Sequence, residues 1–137
     1  MTGVQTCALP IYSSFGLQAS SLVSPGLALG GWIGYNKNTD PAGDRDIVNW
    51  AVTAAFPNLG APGNLGGLVV GQEPRVTAAT GSVLADSGSS LHLEGFYQMK
   101  VSDNISITPG LIYLTAPDQN SANGGALIGT IRTTFSF

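Results

Sequence analysis

The stretch Ala126–Phe137, ALIGTIRTTFSF, alternates residue by residue. Its odd positions, Leu127, Gly129, Ile131, Thr133, Phe135 and Phe137, are mostly apolar, while Thr130, Arg132, Thr134 and Ser136 stand between them. Successive side chains of a β-strand point to opposite faces, so a period of two predicts a strand with one greasy and one polar face. Ser90–Val101 repeats the pattern, setting Leu91, Leu93, Gly95, Tyr97, Met99 and Val101 against His92, Glu94, Phe96, Gln98 and Lys100. Ile47–Phe56 repeats it with Val48, Trp50, Val52, Ala54 and Phe56, and Leu27–Asn36 with Leu27, Leu29, Gly31, Ile33 and Tyr35. Ser14–Val23, Leu65–Gly71 and Ile105–Thr115 are weaker, and Pro109 inside the last predicts an edge strand or a bulge. Together they predict about seven strands of about ten residues.

The connections alternate as well. Ser24-Pro25-Gly26 and Ser102-Asp103-Asn104 are short and Pro57–Asn64 is intermediate, whereas Lys37–Asp46, Glu73–Gly88 and Pro117–Gly125 are longer and more polar. A meander with short turns at one end and long loops at the other is the pattern of an outer-membrane barrel. The expected fold is all-β: the C-terminal part of an antiparallel up-and-down transmembrane β-barrel, about seven strands that do not close by themselves.

Composition agrees. Of 137 residues only 9% are charged, with five Lys+Arg, eight Asp+Glu and one His; about 25% is usual for a soluble domain. The net charge of −3 carries no basic footprint for nucleic acid. A mean hydropathy of +0.21 and the absence of a long apolar run exclude a transmembrane helix. Lys37, Asp40, Asp44, Arg45, Asp46, Glu73, Arg75, Asp86, Asp103 and Asp118 are expected in connections or at strand ends, leaving Glu94, Lys100 and Arg132 within strands, all on the polar phase. An Arg or Lys facing lipid near mid-membrane costs about 2–4 kcal/mol, so charge enters a spanning strand on the inside. Trp32, Tyr35, Trp50, Phe56, Phe96, Tyr97, Tyr113, Phe135 and Phe137 are read as leaning toward strand ends, as interfacial girdles do.

Met1–Ile11, MTGVQTCALPI, resembles the translation of a sequencing-library adapter and is set aside from fold reasoning, leaving residues 12–137 as the barrel segment. Cys7 goes with it, so no thiol or zinc chemistry is expected. A chain of this kind is expected to be the end of a longer protein whose full barrel has 14 to 18 strands, within the range of porins.

Ser90–Asn120, SLHLEGFYQMKVSDNISITPGLIYLTAPDQN, and Ile128–Phe137, IGTIRTTFSF, resemble the C-terminal strands of cyanobacterial outer-membrane porins of the carbohydrate-selective porin family, often called iron-uptake porins. Gly30–Tyr35 (GGWIGY), Ile47–Pro57 (IVNWAVTAAFP) and Gly71–Val76 (GQEPRV) fit the same family. The resemblance implies integral placement in the outer membrane and passive diffusion of small hydrophilic solutes, carbohydrates or inorganic ions such as iron. It further implies outer-membrane lipid and the barrel-assembly machinery as partners, is compatible with a homotrimer, and makes Phe135 and Phe137 the candidate assembly signal.

The polar phase offers Asn49, Thr53, His92, Glu94, Gln98, Lys100, Arg132 and Thr134 as pore-lining candidates, since a pore needs hydrogen-bonding walls and a few fixed charges. Glu94, Lys100 and Arg132 form either a charged wall or mutual pairs. His92 with Glu94 is short of the three or four ligands a metal site needs, and Asp40, Asp44 and Asp46 match no calcium-loop spacing. No GxSxG elbow, P-loop or histidine pair is present, so neither an enzyme nor a cofactor is expected. Two alternatives stay open: a soluble β-sandwich that binds carbohydrate, with Val48, Trp50, Val52 and Phe56 under a second sheet, and the barrel of an autotransporter or assembly factor.

Overall fold

The computed structural model describes residues 10–137; Cys7 lies outside them. Seven strands form: β1 (Ile11–Ser24), β2 (Leu27–Asp40), β3 (Gly43–Pro57), β4 (Leu65–Ala79), β5 (Leu91–Lys100), β6 (Ile105–Leu114) and β7 (Ala126–Phe135). They pair antiparallel in chain order within one sheet. The sheet is an open up-and-down meander, and among the described residues β1 and β7 each leave an edge without a partner strand.

The registers carry one phase across the whole sheet. Val52 lies opposite Val70, Val70 opposite Leu93, Leu93 opposite Tyr113 and Tyr113 opposite Leu127. One residue along, Thr53 opposes Val69, Val69 opposes Glu94, Glu94 opposes Ile112, and Ile112 opposes Ile128. The first row belongs to an apolar face and the second to a polar one, because a one-residue step in a strand changes faces.

Among the described residues nothing covers the apolar face. Ile131 is 79% exposed, Val52 57% and Leu93 37%, and among the described residues only Ala51 and Ala116 are buried apolar side chains. A soluble domain buries its greasy layer against a second layer. Here there is no second sheet among the described residues, so this chain does not bury those side chains as the sandwich alternative requires: Val52 lies open, and Val48, Trp50 and Phe56 are half-buried within a single layer.

Three details differ from expectation. The hairpin at Lys37–Asp46 is strand almost to its tip, turning on Pro41 and Ala42. Lys37 opposes Asp46 across it, and Arg45 pairs with Asp40 at 3.1 Å. Opposite charges facing one another support a ladder as well as apolar pairs do, so polarity did not end these strands. Likewise β4 runs through Glu73 and Arg75 to Ala79, with a bulge between Gln72 and Arg75 that takes in Pro74 and so absorbs its missing N–H. Lys37, Asp40, Asp44, Arg45, Asp46, Glu73 and Arg75 are therefore strand residues rather than loop residues.

Pro109 is the second correction, for it sits in a central strand. It opposes Ile131 on β7, while pairing with β5 lapses between Phe96↔Gly110 and Met99↔Ile107, where the absent donor would have bonded. Third, the leaning of the aromatics toward strand ends is only partial, since Trp32, Trp50 and Phe96 lie mid-strand. Phe56 and Tyr97 still flank the short-turn end of the apolar face, and Phe15 and Tyr35 its other end. Val48, opposite Tyr35, is eight residues from Phe56, about 26 Å along a strand and about 20 Å along the normal at a barrel's usual tilt.

On the polar face the Phe96 ring lies over Gly67, in the space a Cβ would need. Gly67→Val must displace that ring and is expected to cost about 1–3 kcal/mol by overpacking. The urea midpoint of the detergent-folded protein measures the loss, and an unchanged midpoint would show that the ring is not packed there.

Candidate functional site

The polar face is built by parity. Asn49 and Thr53 share the phase of Ala51 on β3; Ala51 opposes Gly71 on β4, and Gly71 opposes His92 on β5. Glu94, Gln98 and Lys100 follow on β5, and Lys100 opposes Ser106, which opposes Thr134. Arg132 opposes Thr108. All eight sequence candidates thus share one face, in three groups on β3, β5 and β7.

Their contacts separate the charges that the sequence left together. His92 stands between two carboxylates, with Nε2 at 3.1 Å from Glu94 and Nδ1 at 3.5 Å from Glu73. The Lys100 ammonium pairs with Asp103 at 2.8 Å instead of with Glu94. Arg132 makes no ion pair among the described residues, so Glu94, Lys100 and Arg132 do not neutralise one another. Gln98 donates to the Ser106 hydroxyl at 3.3 Å. The Asn49 carboxamide lies over Gly34, and its Oδ1 has no protein partner.

The hydrogen bond and then the charge of Lys100 hold the Asp103 carboxyl below its ordinary range. A lowered carboxyl pKa stabilises the fold above the unfolded value, and that stabilisation disappears as pH falls through the lowered one. Asp103 is exposed in the β5–β6 turn, so solvent screening keeps its contribution small.

The acidic residues do not assemble a cation site. The two nitrogens of His92 face different carboxylates, so Glu73 and Glu94 do not converge on one point. Asp40 is committed to Arg45, while Asp46 accepts from the Tyr35 hydroxyl on the opposite face. Among the described residues no three His, Cys, Asp or Glu side chains come together as metal ligands.

Sequence reasoning placed Glu73 in a loop and so missed its pairing with His92. Its parity with Gly71, two residues earlier, was the available signal, masked by Pro74. Trp32 was also missed among the polar-face candidates: it opposes Ala51 on the polar face and, with Gly71, Glu73, His92 and Glu94, lines a recess of 290 Å³. Above this recess the loops interlock. Gln119 is buried; its Oε1 accepts from the Ser90 N–H at 2.7 Å and its Nε2 donates to the Glu73 carbonyl at 3.2 Å. The Gly88 N–H donates to the Gln119 carbonyl at 2.7 Å. No sequence motif announces this contact, because it joins residues 46 positions apart.

At the other end Phe135 closes β7 on the apolar face, and Phe137 extends fully exposed beyond it. Ser136 donates its N–H to the Asn104 carbonyl at 2.9 Å and accepts from the Asn104 amide, tying the last residues to the β5–β6 turn.

Comparison with known proteins decides the family. The carbohydrate-selective porin family, OprB, matches residues 12–137. The chain belongs to this family. An uncharacterized protein of Nostoc sp. is 39% identical over 127 residues, covering 91% of this chain and 22% of that protein. An uncharacterized protein of Synechocystis sp. is 33% identical over 142 residues, covering 88% of this chain and 26% of that protein. The chain therefore spans about a quarter of the length of the relatives it matches. No solved structure matches it. Membership in a porin family accounts for a single sheet whose apolar face lies open among the described residues.

Proposed function

We propose that the protein carrying this chain is a passive outer-membrane channel for small hydrophilic solutes, sugars and inorganic ions including iron, and that this sheet is part of its wall. The observation that carries the reading is the uncovered apolar face, with Ile131, Val52 and Leu93 all exposed, backed by a face that holds His92, Glu94, Lys100 and Arg132. Hydrocarbon is the solvent that makes the first face stable, and water the one that makes the second. On this reading Asn49, Thr53, His92, Glu94, Gln98, Lys100, Arg132 and Thr134 line the pore. Acyl chains of outer-membrane lipid fill the 810 Å³ groove that Phe56, Leu59, Tyr97, Pro109 and Ile131 line. Strands beyond β1 and β7 complete a barrel of about 14 to 18, since an unpaired edge in lipid costs several kcal/mol for each unsatisfied group.

Further proposals concern partners. Phe135 and Phe137 act as the signal read by the barrel-assembly machinery, and a homotrimer is a compatible assembly. An autotransporter or assembly factor is disfavoured by the family match.

The test is electrical. The full-length protein, folded into planar bilayers bathed in KCl, is expected to give stable unitary conductance steps, and liposomes containing it are expected to swell in small sugars more slowly as sugar size increases. A correctly folded barrel with no conductance and no swelling would refute the proposal.

A further inference from the structure

We infer that Gln119 is a positioning residue for the solute pathway: it holds Glu73 in place and thereby fixes a row of Glu73, His92 and Glu94 whose net negative charge favours cations. The inference rests on the channel reading above and adds to it which side chains set ion preference and what keeps them in register.

Three observations lead there. The row is continuous, from the Glu73 carboxylate through the two nitrogens of His92 to the Glu94 carboxylate. It sets two carboxylates against one imidazole. Neither carboxylate pairs with Lys or Arg among the described residues. Fixed charges of one sign on a pore wall raise the local concentration of the opposite ion.

The row needs an outside support. Glu73 lies at the bulge of β4, where Asn49 has no Cα partner on that strand and the ladder to β3 is interrupted. Register alone therefore does not hold it. Gln119 bonds the Glu73 carbonyl with one end of its amide and the Ser90 N–H with the other, across two loops. Ser90 in turn is fully buried and precedes Leu91 and His92 on β5. One side chain thus spans the strands that bear Glu73 and His92. The loop accepts a cost to present it: Asp118 and Gln119 both have positive φ, 60° and 53°, a conformation that non-glycine residues seldom keep without compensating contacts.

The experiment uses the full-length channel in planar bilayers across a KCl gradient, with the potassium-to-chloride permeability ratio as readout. Gln119→Met preserves side-chain volume and removes both amide bonds. Its permeability ratio is expected to fall about twofold, as does that of Glu73→Gln, with unitary conductance nearly unchanged. Combining Glu73→Gln with Gln119→Met should give no larger change than Glu73→Gln alone, because the second residue acts through the first. Amide exchange at Ser90 should accelerate in the Met variant, showing that the bond was broken. If the Met variant fails to fold, Gln119→Ala, which relieves any crowding in the loop, carries the same expectation. A conducting wild type with an unchanged ratio in the folded Gln119 variant overturns the inference alone. A folded wild type that does not conduct overturns the channel reading and this inference with it.

Discussion

Ile131→Arg is expected to abolish stable assembly, while Thr130→Arg next to it is tolerated. The two positions sit mid-way along β7, one residue apart, and so on opposite faces. Ile131 is exposed on the apolar face opposite Pro109, and Thr130 opposes Gly110 on the polar face. A guanidinium facing hydrocarbon near mid-membrane costs about 2–4 kcal/mol, a factor of roughly 30 to 700 in the folding equilibrium. The same group facing water costs little and can alter selectivity instead. Folding into lipid vesicles, followed by gel mobility with and without heating, compares the variants directly. Equal yields would mean that Ile131 does not meet lipid, and the two-solvent account of the sheet would fail with it.

The second large effect concerns the chain by itself. Expressed alone and refolded in plain buffer, it is expected to aggregate, and to disperse only in detergent or lipid. Phe15, Leu17, Ile33, Val52, Leu68, Leu111 and Ile131 are all exposed on one face, far beyond the few hundred Å² of contiguous apolar surface that a soluble monomer tolerates. The free edges of β1 and β7 add two templates for pairing between molecules. Size-exclusion chromatography with light scattering distinguishes the outcomes. A monodisperse monomer in buffer that unfolds cooperatively would contradict the structure's single-layer character and reopen the sandwich alternative.

Much of this architecture was legible because the code for a two-faced strand is local. In β3, β5 and β7 the strict alternation put Thr53, Glu94 and Arg132 on one phase, and the registers then brought those phases together. β4 and β6 were harder to read, since Val69 and Ile112 make their polar face apolar in the middle. The loop boundaries misled for a related reason. Charge and proline suggest strand ends, yet Lys37 facing Asp46 continues a ladder and a bulge accommodates Pro74.

The amino-acid sequence by itself determined the strand number, the antiparallel order and, in β2, β3, β5 and β7, which side chains share a face. Each follows from a period of two and from connection lengths, which act between near neighbours. Tertiary structure alone decided that Glu73 rather than Lys100 meets the His92–Glu94 pair, that Lys100 turns to Asp103, and that Gln119 braces the row from a distant loop. Those choices depend on register, bulge position and loop path, which are set by the summed geometry of several strands and leave no periodic trace in any one of them.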